Sequence, residues 1–372
     1  MARPEAGRTD PANEKSANWR RSFSSGQRVL AKRNLHLKQT AISSDKKAVN
    51  IVMIPASKFR EVLEQKLETE KIPVIRTTSL RLIELLGSML TPVEMVTETI
   101  LRDQGFTAQI LKLANSAFFS RGKTISNVSK AVVNIGYSGL RDITLTVEYA
   151  DLVQKRLPKR VQLGRILAKA FVAARWASVV GQEARLQGSE SLFTAALLES
   201  LGDLAVAAYL PEIYQKIERT AQSQGWSYQQ AHAEVTEMSP HDVTALVGWS
   251  YNLPDHLVLA RPGEGTNSKW PEKEHHDRIG HFANDLAYNL LSWPYPDILD
   301  DFADLFSQTA LGLELPAETL HISLALEYQK AVKLGAAVKL DRSCFSFQKT
   351  RPEDSNRNSF LGLCESVQLA EI

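Results

Sequence analysis

A group of histidine and aspartate residues between positions 275 and 285 carries the side chains best suited to metal chemistry. His275 and His276 precede a predicted helix on which Asp277, His281 and Asp285 recur every four residues, so these three share one helix face. Such spacing could bind a transition metal. However, the group directly follows a loop-like stretch, where Asp277 would cap the helix and the histidines would face water. We therefore interpret it as a solvated helix start and predict no metal ligands in it.

Motifs for other common chemistries are missing from the sequence. Neither glycine-rich phosphate loop, GxGxxG or GxxxxGK[ST], occurs, and there is no GxSxG nucleophile motif. The two cysteines, Cys344 and Cys364, have no CxxC spacing and are too few for a disulfide framework. The sequence therefore predicts no cofactor and fits a reducing cytoplasm.

Charge is spread unevenly along the 372 residues, although the net charge is only +2. Residues 1–50 hold eleven Lys and Arg against four Asp and Glu, a net of +7, and the remainder has a net of −5. Residues 1–50 also lack apolar periodicity, which predicts a disordered basic leader. We interpret this leader as solvated, and the alternative is an arm that grips nucleic acid or lipid.

No segment of the sequence is predicted to be a membrane span or an export signal. The first twenty residues have no apolar core, and no run of about 18 apolar residues occurs. The closest run, Leu192 to Leu210, is interrupted by Glu199 and Asp203, which favours a buried helix. We therefore expect a cytoplasmic protein without membrane insertion.

Apolar residues recur at helical spacing from Ile54 onward, and strand signals are almost absent, which predicts an all-α fold. The stretch Thr91-Pro92-Val93-Glu94 is typical of a capping box at a helix start. Gly136 is predicted to end a helix. A single small and apolar helix is predicted from Ser191 to Tyr209.

Four stretches, in order along the chain, match the motifs of one protein family. The most specific is L-A-N-S-A-F-F at 113–119, and the others are I-S-N-V-S-K-A-V-V-N-I-G at 125–136, L-F-T-A-A-L-L-E-S-L-G-D-L at 192–204 and H-D-V-T-A-L-V-G-W at 241–249. They resemble the HDOD domain, a bacterial signalling module related to the metal-dependent phosphohydrolases of the HD superfamily. The resemblance covers about residues 54–260, and more loosely the helices to 340. It implies an HD-like helical bundle that follows an N-terminal helical subdomain.

This resemblance suggests a division of the chain. The predicted parts are a disordered basic leader at 1–50, an HDOD-like domain at 51–260 (an N-terminal helical part at 51–157 and an HD-like part at 158–260), a loop at 261–276, C-terminal helices at 277–340 that pack on the HD-like part, and a flexible tail at 341–372.

Compared with hydrolytic HD proteins, the metal ligands are depleted. The His-Asp pair falls at Glu199-Ser200, the first expected histidine falls within 167–170, where none occurs, and the later histidine pair falls near 261–262. Only His241 remains, and one imidazole with one carboxylate cannot hold a catalytic metal firmly. The resemblance therefore implies degenerate HD positions at Glu199 and Ser200, no metal and no catalytic residue.

Candidate binding residues at family motif positions are Asn115, Ser116 and His241. Each also has a structural interpretation, which we favour, because Asn and Ser often close helix ends and a lone histidine often satisfies a buried partner.

The predicted function is that of a non-catalytic regulatory adaptor in bacterial signal transduction, which binds a partner protein or a small signalling ligand such as a nucleotide. Two alternatives stay open: a nucleic-acid-associated regulator that uses the basic segment 1–50, and a weak metal-dependent phosphohydrolase.

Overall fold

The computed structural model describes most of the chain between residues 53 and 347. The described residues are 53–69, 77–87, 90–116, 119–120, 124–155, 163–186, 189–224, 226, 228–250, 253, 258, 273–291 and 316–347, with 360, 362 and 364. All regular structure in these ranges is helical and none of it is a strand, which confirms the all-α prediction. The predicted leader at 1–50, most of the loop at 261–276 and most of the tail at 341–372 lie outside the described residues.

The α-helices are numbered in chain order. They are α1 (Ala56–Thr69), α2 (Thr77–Leu86), α3 (Val93–Leu101), α4 (Gln104–Ala114), α5 (Val128–Lys155), α6 (Leu163–Glu183), α7 (Leu192–Leu198), α8 (Leu201–Tyr209), α9 (Pro211–Gln224), α10 (Tyr228–Thr236), α11 (Pro240–Ser250), α12 (Lys273–Leu291) and α13 (Ala317–Ala337). Short 3₁₀ turns lie at Ser189–Ser191 and Arg342–Phe345.

Helix boundaries follow the predicted turn chemistry in part. Gly136 has φ 78° and ψ 174°, so it breaks α5 into two helical stretches at the predicted stop. The capping box at 91–94 is wrong in detail, because α3 begins at Val93 and the hydroxyl of Thr91 donates instead to the Leu85 carbonyl at the end of α2, at 2.7 Å. The loop predicted to reach 276 ends earlier, since α12 begins at Lys273.

Helix α6 is the centre of the larger hydrophobic core. Helices α7, α12 and α13 pack along it, and the indole N–H of Trp176 donates to the Leu324 carbonyl of α13 at 2.8 Å. Arg175 of α6 forms a largely buried ion pair with Glu327 of α13. Residues of α1 belong to the same core, and so does Phe345, which lies in the predicted flexible tail and is 1% exposed. These contacts fix the helices that surround the candidate site.

A second, smaller core lies among α2, α3, α4 and α5. Its members include Val96, Ile100, Phe106 and Ile110. The helices that carry the family-like stretches at 113–119 and 125–136 therefore pack around an apolar core of their own.

The predicted single helix from Ser191 to Tyr209 is two helices, α7 and α8, with a turn at Glu199-Ser200. The Ser200 hydroxyl donates to the Leu197 carbonyl at 2.9 Å, a local bond that competes with helical pairing. By length and composition Leu192–Tyr209 is the one stretch of the described helices that could cross a membrane, but 94% of it lies inside the protein. The buried location that we predicted for this stretch is confirmed.

Candidate functional site

Glu199 lies in the turn between α7 and α8, next to the place where α8 and α11 are in close contact. Its backbone carbonyl accepts a 2.6 Å hydrogen bond from the Thr244 hydroxyl, and the Gly202 N–H donates to the same hydroxyl oxygen at 3.2 Å. Glu199 is 6% exposed. The turn is thus clamped to α11, and the carboxylate is held inside the bundle.

His241 lies in the first turn of α11 and meets this carboxylate directly. Its Nδ1 donates a short hydrogen bond to Glu199 Oε1, and its Nε2 lies 3.8 Å from Asp285 Oδ1 of α12. Asp285 also accepts a 2.9 Å bond from the amide of Gln229 in α10. The imidazole therefore sits between two carboxylates, one buried and one part-exposed.

His281, one turn before Asp285 on α12, completes the group. Its ring centroid lies 4.1 Å from that of His241, with the ring planes at 71°. One ligand atom from each of Glu199, His241 and His281 lies within 4.8 Å of the other two. We call these three residues the carboxylate–histidine cluster. Two imidazoles and a carboxylate form a donor set that suits divalent transition metals.

Burial and neighbouring charges act against each other in this cluster. Burial raises the pKa of Glu199 to about 6, although the imidazole of His241 opposes the change. Burial disfavours charge on His241 too, but the carboxylates of Glu199 and Asp285 outweigh it, and the pKa of His241 is well above its ordinary value. Near neutral pH the pair therefore exists as an imidazolium and a carboxylate.

A second buried polar group begins one turn after Glu199. Asp203 accepts a 2.8 Å hydrogen bond from the hydroxyl of Tyr228, and Lys169 Nζ lies 4.1 Å from the ring centroid of Tyr288 and 5.2 Å from that of Tyr228. Burial raises the pKa of Asp203 to about 6 and lowers the pKa of Lys169. Lys169 lies within 167–170, where the resemblance places the first histidine of an HD site. The folded chain brings the amine of Lys169 close enough to Asp203 for the two groups to interact electrostatically.

The structure corrects our interpretation of the 275–285 group. His276, Asp277 and His281 are 2%, 5% and 6% exposed, so these side chains are not solvated. Asp277 is not an N-cap, because α12 begins four residues earlier at Lys273. The shared face predicted for His281 and Asp285 is real, and it points at His241.

The two positions that the resemblance predicts to be degenerate HD positions have different surroundings. Glu199 belongs to the cluster, whereas Ser200, 2% exposed, donates its hydroxyl to the Leu197 carbonyl. His241 does have the buried partner that we favoured for it. Its predicted binding role stays a prediction.

Asn115 and Ser116 lie at the C-terminal end of α4, on elements separate from the cluster. The Asn115 amide donates to the carbonyls of Leu111 and Ile125, both at 2.8 Å, and its oxygen accepts from the Ile125 N–H at 2.8 Å. Ser116 donates to the Leu113 carbonyl at 2.6 Å. These bonds tie the end of α4 to the segment before α5, and a ligand role for the two residues stays a prediction.

The substitution Asn115→Ala is expected to lower the free energy of unfolding by about 2 kcal/mol, because the N–H of Ile125, a residue 3% exposed, loses its acceptor. Urea denaturation followed by circular dichroism measures the loss. Ser116→Ala removes one local hydroxyl and serves as the control, with an expected loss of about 1 kcal/mol or less. Equal losses of unfolding free energy in the two variants would contradict a stabilising role for the hydrogen bonds between Asn115 and Ile125.

Comparison with known proteins gives matches to both sequence and fold. A model of the HDOD domain matches residues 72–261. A protein of Treponema pallidum, itself uncharacterised, is 23% identical over 160 residues, which are 43% of this chain and 31% of that protein. The match thus spans about a third of that relative's length.

Solved structures with the same fold cover most of the chain. An HDOD domain protein of unknown function from Geobacter sulfurreducens has a TM-score of 0.60 at 18% identity, over 77% of this chain and 99% of that one. A candidate phosphohydrolase from Shewanella amazonensis has a TM-score of 0.57 at 20% identity, over 74% and 98%. A candidate signal transduction protein from Marinobacter aquaeolei has a TM-score of 0.56 at 14% identity, over 79% and 68%. At these identities the likeness concerns the fold alone.

Proposed function

This chain belongs to the HDOD domain family, and we propose that it is a regulatory protein of signal transduction that works by binding and not by hydrolysis. It would bind a partner protein or a small signalling ligand, and it would pass that occupancy on through shifts of the helices that meet at the carboxylate–histidine cluster. The family and the signal-transduction name of the Marinobacter aquaeolei protein support the regulatory role.

One observation carries the non-hydrolytic part of the proposal. At the position of the catalytic His-Asp pair, both side chains are bonded inside the protein: Glu199 to His241, and Ser200 to the Leu197 carbonyl. Glu199 is 6% exposed and Ser200 is 2% exposed. Hydrolysis by a metal-bound water needs an open coordination position that a phosphorylated substrate can reach. A site closed in this way favours ligand-dependent movement over turnover.

The arrangement of α8, α11 and α12 supplies a physical route for such movement. Glu199 belongs to the turn before α8, His241 to α11 and His281 to α12, and each is in contact with another of the three. A ligand that separates these side chains must displace at least one of the elements that carry them. Packed interiors respond to such displacement by discrete shifts.

A weak metal-dependent phosphohydrolase is the second candidate. It is favoured by the donor set of the carboxylate–histidine cluster, and the Shewanella amazonensis protein with the same fold carries a phosphohydrolase name. The nucleic-acid alternative depends on residues 1–50, which lie outside the described residues, so it stays a prediction. Filter binding before and after removal of those fifty residues tests it.

The hydrolysis assay separates the first two candidates. We expect the full chain, with Mn²⁺ or Mg²⁺ in excess, to release no more product from cyclic dinucleotides or phosphomonoesters than a protein-free sample. The reason is the enclosure of Glu199 and the loss of the second pair residue at Ser200. Product release above that of the protein-free sample, if it is lost in Glu199→Ala, would overturn the proposal.

A matched variant sharpens the assay. Glu199→Ala removes the one carboxylate that remains at the pair position, so any true hydrolysis at this site must fall in it. Product formation that is equal in the two proteins would come from a contaminant, and it would count against the phosphohydrolase candidate.

A further inference from the structure

We infer that Glu199, His241 and His281 bind one divalent transition-metal ion. The inference goes beyond the proposed function and does not depend on it, because a bound ion can hold or sense a conformation without turnover. It also departs from our sequence prediction of no metal, which counted one imidazole at this site where the folded chain has two.

The positions of the donor atoms support a single ion. A carboxylate oxygen of Glu199 and one nitrogen from each histidine lie within 4.8 Å of one another. Zinc-type sites hold such atoms at about 2.0–2.2 Å from the metal, which places neighbouring donors roughly 3–3.5 Å apart. The Nδ1 of His241 and Oε1 of Glu199 already share a short hydrogen bond. An ion between them would replace that bond and move these two donors apart by about an ångström. His241 would ligate as a neutral imidazole, so binding would release a proton.

The surroundings of the three residues are those of a built site. Glu199 and His281 are each 6% exposed. The backbone of Glu199 is fixed by Thr244, and Asp285, itself held by Gln229, lies 3.8 Å from the second nitrogen of His241. A carboxylate beside the outer nitrogen of a ligating histidine orients the ring and increases its basicity. Asp285 is therefore a positioning residue for His241.

The donor types select the class of metal. Imidazole binds zinc, iron, cobalt and nickel well, whereas magnesium and calcium prefer all-oxygen sites. Two imidazoles and one carboxylate thus favour a first-row transition metal over the alkaline-earth ions. The expected ligand is one such ion per chain.

The test uses the full chain after treatment with a chelator and its removal. Cobalt(II) is added as the probe, and the visible d–d spectrum and the free metal at equilibrium are recorded. We expect one equivalent to bind with a spectrum that lacks thiolate charge transfer. Since loss of outer-shell partners alone weakens metal sites about 10–100-fold, His281→Gln is expected to weaken binding about 100-fold or more.

Matched variants keep the result interpretable. His275→Gln changes a histidine of the same helix, six residues away, and is expected to bind as the wild type does. Glu199→Gln provides a second ligand variant in case His281→Gln does not fold, and thermal melts of the chelated proteins show which variants fold. No stoichiometric binding by the wild type, or equal affinity in the wild type and a folded ligand variant, would overturn the inference.

The outcome is independent of the hydrolysis assay. Metal binding without turnover supports both proposals, and turnover in the loaded protein contradicts the proposed function alone. Absence of binding contradicts the metal site alone.

Discussion

Gly202→Ala is expected to lower the free energy of unfolding by about 3 kcal/mol, because α8 and α11 touch at this position through their backbones. A Cβ at residue 202 would lie 2.7 Å from the backbone nitrogen and 3.1 Å from the Cα of Thr244, and 2.6 Å from its hydroxyl oxygen. Backbone atoms cannot move aside as the tip of a side chain can, so the helices must separate. That separation would also loosen the clamp on Glu199.

Gly105→Ala is the matched control. In α4 a Cβ at this position meets only the side-chain oxygen of Asp103, at 3.4 Å. Alanine is about 0.5–1 kcal/mol more favourable than glycine within a helix, so this variant is expected to equal or exceed the wild type in stability. Urea denaturation monitored by circular dichroism measures both. A loss under 1 kcal/mol for Gly202→Ala would show that α8 and α11 are not in close contact.

Glu199→Gln is expected to cost about 3 kcal/mol, because it leaves the imidazolium of His241 without its main charge partner. The two side chains are 4% and 13% exposed, so water replaces little of the lost interaction. The measurement is made with a chelator present, which prevents any metal from contributing to stability.

The control for this effect is Glu61→Gln. Glu61 pairs with Lys58 on the surface of α1, where both side chains are more than half exposed, and an exposed pair is worth about 1 kcal/mol or less. If the two glutamine variants lose equal stability, the contact between Glu199 and His241 does not have the energy that its burial implies.

Much of the fold could be predicted from local patterns. The helical spacing of apolar residues can be recognised within each segment alone. The helix break at Gly136 can be predicted locally as well, because glycine adopts a positive φ more readily than other residues. The L-A-N-S-A run is local too, because a family motif can be recognised from one short segment of the sequence. The break at Glu199-Ser200 escaped prediction, because two polar residues without a proline or glycine between them do not by themselves end a helix whose apolar residues continue on both sides.

The candidate site could not be predicted in the same way, since its members come from three distant parts of the chain. Glu199 and His241 were each identified by motif position, but nothing local indicates that they touch. The spacing of His281 fits a metal ligand, but the loop-like stretch before Asp277 indicates an exposed helix start. The burial of that helix depends on its tertiary packing against α6 and α7 and on the contact of His281 with His241 of α11.

Glu199 and His241 form one buried, internally bonded unit at the position where the family resemblance places a catalytic pair. A double-mutant cycle in chelator measures this most directly, from the unfolding free energies of the wild type, Glu199→Gln, His241→Gln and the double variant. We predict a coupling energy of about 2 kcal/mol, within the range for residues in direct contact. Additive losses, within about 0.5 kcal/mol, would show that the two side chains act separately and would contradict the account.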